Sequence, residues 1–157
     1  MKTATVHEIK QELLASPDKL LVDLCLRLSK FKKENKELLT YLLFEAHNEE
    51  GYIEEVKVAI DETFGELEPG TNLYFAKKTI RKILRIANKH IRYTGSKQAE
   101  VAILLHFVTS LASHGIPFKK STALNNLYQQ QIKKIKTVLA TLHEDLQYDY
   151  QRELDAL

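Results

Sequence analysis

Six histidines, at positions 7, 47, 90, 106, 114 and 143, are the first residues here that could hold a metal ion or move a proton. Carboxylate-bridged metal sites in helical bundles draw on Glu-x-x-His pairs. No glutamate stands three residues before any of the six, and His-Glu-x-x-His is absent too. His106 and His114 fall about 80° apart on one helix and two turns from each other, which is poor for sharing one metal. Ordinary hydrogen bonds are expected of both. Ser16-Pro17-Asp18-Lys19 matches a Ser-x-x-Lys nucleophile string, but no Ser-Asp-Asn or Lys-Thr-Gly follows, and helix capping accounts for the serine. The five glycines are too dispersed for a phosphate-cradling loop. Cys25, the only cysteine, sits between Leu24 and Leu26 and reads as a core thiol. Glu100 falls in the first turn of a helix, where the dipole favours it. Lys97 or Arg92 is its expected partner, and a buried general acid or base is the alternative. No second catalytic group accompanies it, so no enzyme, metal or cofactor is expected.

Charge carries the stronger signal. The net charge is only +2, yet residues 44–68 hold nine acids against Lys57 alone, and residues 69–143 hold thirteen bases against Glu100 alone. The basic part concentrates in one helix. At about 100° per residue, Lys77, Lys78, Arg81, Lys82, Arg85, Lys89 and Arg92 share a sector roughly 140° wide. Leu73, Ala76, Ile80, Ile83, Leu84, Ala87 and Ile91 lie opposite. One side is built for burial and the other is cationic. Such a face could neutralise phosphates or meet an acidic protein or anionic membrane surface. The plainer expectation is that the acidic helix before it lies antiparallel and satisfies it, each exposed pair contributing about 0–1 kcal/mol. Base-specific recognition is not expected. The helix after the tight link Tyr93-Thr94-Gly95-Ser96 is too apolar to read a major groove.

The elements that must position these residues are helical throughout, because apolar residues recur at helical spacing and no run alternates with period two. At 157 residues and 44% hydrophobic, the chain is expected to form a single all-α domain. About seven helices are expected, in an irregular bundle or a short stack of antiparallel helical pairs. The first runs from a Thr5/Glu8 capping box to Ala15. The second, capped by Ser16, spans Pro17 to Lys30, and the third Glu34 to His47. The fourth spans Tyr52 to Leu67, closed by the Gly65–Gly70 stretch with Pro69. The fifth is capped by Thr71 or Asn72 and reaches Arg92. The sixth is capped by Ser96 and ends at Gly115. Ser121 opens a long C-terminal helix that meets no Gly or Pro before Leu157. The second and sixth helices are apolar nearly all round and are expected to be central. As one straight helix the last stretch would be about 50 Å long. It therefore either bends over the core or projects onto a partner through Leu146, Tyr150 and Leu154.

The string Ser16-Pro17-Asp18-Lys19-Leu20-Leu21, then Phe31-Lys32-Lys33-Glu34-Asn35-Lys36-Glu37, and later Ala76-Lys77-Lys78-Thr79-Ile80 before an apolar helix ending in His114-Gly115, resembles a family of small all-helical bacterial proteins of unknown function. The resemblance implies an all-α fold and no activity. Met1 to Lys10 lacks a leader's apolar stretch, and no apolar run approaches the ~20 residues of a membrane span, so a cytoplasmic protein is expected. The leading functional expectation is a non-enzymatic interaction or scaffold protein, with a protein partner or a homodimer. The alternative is sequence-nonspecific nucleic-acid binding through the fifth helix.

Overall fold

The structure, a computed structural model, describes residues 1–68 and 70–157. Pro69, expected to help close the fourth helix, lies outside them. Eight α-helices and no strand occur among the described residues, so the chain is all-α. It divides into two compact units, residues 1–44 and 45–157.

In the first unit, α1 (Val6–Ala15) opens with the capping box read from the sequence: Thr5 Oγ1 accepts from the Glu8 N–H, and Glu8 Oε2 accepts from the Thr5 N–H at 2.7 Å. Ser16 does not open the next helix but closes this one. Its hydroxyl donates to the Glu12 carbonyl at 2.7 Å and its N–H to that of Leu13 at 3.2 Å. Its extended backbone is what the following proline imposes. Helix α2 (Asp18–Phe31) and helix α3 (Lys33–Thr40) flank the extended residue Lys32 and pack together. The Asn35 side-chain amide donates to the Leu28 carbonyl at 2.9 Å and ties the start of α3 to the end of α2. The third helix does not run on to His47 as an α-helix, because Tyr41–Glu45 is a π-helical turn.

The expectation that the second helix is central is overturned. No residue of α1, α2 or α3 is buried. Cys25, read as core, is exposed. Periodicity measures how much of a helix is apolar; it does not say that the same chain supplies the cover.

The second unit holds the hydrophobic core. Its helices are α4 (Glu49–Gly65), α5 (Leu73–Thr94), α6 (Lys97–Ser113), α7 (Thr122–Leu139) and α8 (Glu144–Asp155). Side-chain caps start all five: Asn48 accepts from Gly51, Asn72 from Tyr74, Ser96 from Ala99, Ser121 from Leu124 and His143 from Asp145. Gly95 adopts φ +60° and ends α5, a left-handed turn that suits glycine. As expected, α6 is central. It packs on α4, α5, α7 and α8, and it buries nine residues, among them Val101, Ile103, Leu104, Phe107, Val108 and Leu111. Each such side chain, fully buried, stabilises the fold by roughly 1.5–3 kcal/mol.

The long C-terminal helix of the sequence reading is two helices. The chain turns at residues 140–143 without Gly or Pro. Thr141 Oγ1 donates to the Val138 carbonyl at 2.6 Å, and the Gln147 side-chain amide donates to that of Leu142 at 2.7 Å. These bonds satisfy acceptors that the broken helix leaves free. The turn brings Leu154 into the core and packs Tyr150 against it, while Leu146 is half-buried. Of the three residues expected at a partner interface, Leu154 and Tyr150 are therefore packed within the chain's own fold. No helix of the described residues is long and apolar enough to cross a membrane.

Candidate functional site

Helix α5 presents the cationic face that its sequence pattern implies. Ala76, Ile80, Ile83, Ala87 and Ile91 are buried, and this fixes the helix's rotation. Lys78, Arg81, Lys82, Arg85 and Arg92 are consequently exposed, with Lys77 and Lys89 half-buried. The Lys77 ammonium lies 5.9 Å from the Tyr74 ring centre and that of Lys89 6.0 Å from Tyr93, within cation–π range.

The acidic neighbour neutralises little of this face. Lys82 Nζ pairs with Glu66 Oε2 at 3.1 Å, just beyond the end of α4. Among the described residues, no carboxylate lies within 4.0 Å of the charged groups of Lys78, Arg81, Arg85 or Arg92. Three acids of α4 are engaged elsewhere. Glu54 pairs with Lys57 one turn along its own helix at 2.7 Å. Glu49 accepts the Ser96 hydroxyl at 2.7 Å, and Asp61 faces α6. The cause is rotational: Ile53, Val56, Ile60 and Phe64 turn inward, so Glu54, Glu55 and Glu62 point to solvent.

A cleft of about 530 Å³ lies along the basic face. Lys77, Lys78, Arg81 and Arg85 supply its charge, with Tyr74 at one end and Asn88 at the other. The fourteen residue steps from Tyr74 to Asn88 rise about 21 Å along the helix. The sequence reading found the cations but missed the aromatic end. Tyr74 and Phe75 stand edge to face with ring centres 5.5 Å apart, 68% and 61% exposed. The available signal was Tyr74 lying three and four residues before Lys77 and Lys78, on the same side of the helix.

The remaining polar clusters are structural in geometry. His106 Nε2 and the Ser110 hydroxyl both meet Asp61 Oδ1, at 2.7 and 3.2 Å. Serine and histidine thus converge on the acid. Nucleophile activation needs the hydroxyl on the imidazole instead. His114 Nε2 bonds the Leu67 carbonyl at 3.1 Å, and its ring packs on Phe64. Tyr52 Oη and His90 Nδ1 lie 2.6 Å apart. Glu100 pairs with Lys134 of α7 at 2.8 Å, so its partner is neither Lys97 nor Arg92. No group of three His, Cys, Asp or Glu among the described residues is placed to hold a metal ion. Burial pushes the Tyr128 phenol above its ordinary value. It does the same to Tyr150, where a hydrogen bond with the Gln98 side chain partly opposes it.

A second surface was not anticipated. Residues 1–44 expose Val6, Leu14, Val22, Leu28, Phe31 and eight further large apolar side chains besides Met1, whereas residues 45–157 expose five. On α2, Leu20, Leu24, Leu28 and Phe31 share one side within about 80° and Val22 and Leu26 lie opposite, so more than one side is open. Between α2 and α3, an apolar groove of about 210 Å³ is lined by Cys25, Leu28, Leu38, Leu39 and Leu42 among others. Compared with protein-family models, with curated proteins and with solved structures, the chain matches none.

Proposed function

We propose that this chain is a cytoplasmic, non-enzymatic helical interaction protein whose docking element is residues 1–44. The observation that supports the reading is the distribution of apolar surface. The thirteen side chains counted above, at roughly 100 Å² apiece, expose on the order of 1,300 Å² in total over more than one side of one small unit. Each partner in a standard interface buries ~800 Å². The unit's own charge does not oppose association, since residues 1–43 carry eight Lys/Arg against six Asp/Glu.

A second copy is the occupant to test first, through residues 1–44 and not through the last helix. Sedimentation velocity over a hundredfold range of concentration should show the mass rising from 18.1 kDa toward twice that value. Leu24→Asp/Leu28→Asp should hold the chain at the lower mass with its helix content intact, because both side chains are exposed. A wild-type chain that stays at 18.1 kDa throughout, with the amides of residues 1–44 strongly protected from exchange, would overturn the reading. The apolar face would then be covered within the chain itself.

A further inference from the structure

We propose that the cleft along α5 binds single-stranded nucleic acid, with Lys78, Arg81 and Arg85 on the phosphates and Tyr74 stacking on a base. The proposal rests on unit 45–157 and is independent of docking through residues 1–44. Three observations carry it.

The first is that the charge is open. Lys78, Arg81 and Arg85 are exposed, and no carboxylate among the described residues pairs with them. Arg81 and Arg85 stand one helical turn apart, about 6 Å along the axis. Their planar guanidinium groups suit bidentate contact with phosphate. The second is that an aromatic surface adjoins the charge. Tyr74 lines the cleft and is 68% exposed, which places a π-face beside the cations. Stacking platforms combined with a basic groove are how proteins hold single strands without reading sequence. An acidic peptide needs the cations and has no use for the ring. The third is that the apolar face of α5 is already committed. Ala76, Ile80, Ile83, Ala87 and Ile91 lie in the core, so the helix has no apolar side to insert into a lipid surface. Duplex readout is not served either, because a stacking ring reaches only an unstacked base.

The test is fluorescence anisotropy of the full chain with fluorescein-labelled twenty-nucleotide RNA and DNA single strands of mixed sequence, and with the corresponding duplexes. If about four phosphates are neutralised, single-strand affinity should fall about fifty-fold between 50 and 200 mM salt. Arg81→Glu/Arg85→Glu should abolish binding. Lys119→Glu/Lys120→Glu makes the same change in net charge on exposed residues outside the cleft and should leave most of it. Tyr74→Ala should weaken single-strand binding about ten-fold and barely change duplex binding. Circular dichroism should show all three variants folded. No binding of any strand at low salt would overturn the proposal. So would equal losses from the two charge reversals, or duplex binding as tight as single-strand binding and insensitive to Tyr74→Ala. Displacement of the strand by polyglutamate at equal charge concentration would instead assign the cleft to an acidic protein.

Discussion

Local hydrogen bonds decide what individual residues do in this chain, and Glu8 is a direct case. Its carboxylate accepts the Thr5 backbone N–H first and the Thr5 hydroxyl second, and these bonds hold its pKa below the usual glutamate value. A depressed carboxyl favours the folded first turn of α1 at pH values above the group's unfolded pKa. That contribution is lost as pH falls through the lower, folded value. Carbon-detected NMR titration of the side-chain carboxyls should therefore show Glu8 protonating below the ordinary glutamate value. Thr5→Ala removes the hydroxyl and keeps the backbone N–H, so it should bring Glu8 part of the way back, and titration at the ordinary value in the wild type would refute the cap. This residue-scale feature was legible in the sequence because a capping box lies within four consecutive residues. Asn72, Ser96 and Ser121 were legible for the same reason. The partner of Glu100 was not, since Lys134 lies on a helix whose packing no local pattern specifies.

At the scale of elements, α8 shows how a helix is held by a few half-buried groups. Leu154 enters the core, and Tyr150 packs against it. Burial raises the Tyr150 pKa, so the neutral phenol's contribution is complete below the ordinary value near 10 and disappears as pH rises through the higher, folded value. Hydrogen exchange should accordingly show α8 losing protection at alkaline pH. Tyr150→Phe should move that loss to higher pH, and an unchanged midpoint would place the sensitivity elsewhere, with Tyr128 the next candidate. Here the sequence was half legible. The apolar spacing along Leu142, Leu146, Tyr150 and Leu154 gave the face, but one continuous helix and a helix that turns back share that spacing. The turn depends on Thr141 and Gln147 bonding carbonyls that exist as free acceptors only once it has formed. The cationic side of α5 was legible because its opposite side is a complete apolar stripe. Whether acids would cover it depended on the rotation of α4, which Ile53, Val56, Ile60 and Phe64 set in three dimensions.

Across the whole molecule, apolar residues fall into two regimes that composition alone merges. Ile103 and Leu104 have no exposed surface, while Leu24 and Leu28, on a helix that is also apolar around most of its circumference, are 37% and 59% exposed. The sequence ranked both helices as central because a helical wheel records what a helix offers for burial and says nothing of what receives it. The two regimes should separate in stability measurements. Ile103→Ala removes side-chain volume from a closed core and should cost about 2–5 kcal/mol in urea unfolding at any protein concentration. Leu24→Ala in the dilute monomer should stay within about 0.5 kcal/mol, as exposed substitutions do. At concentrations where residues 1–44 associate, the same substitution should become destabilising, because binding to the folded state adds stability that grows with the concentration of partner. A cost for Leu24→Ala that is already large in the dilute monomer would show that residues 1–44 are stabilised within their own chain. The open apolar surface would then lose its claim to a partner, while the basic cleft of α5, built entirely from residues 74–88, would keep its own.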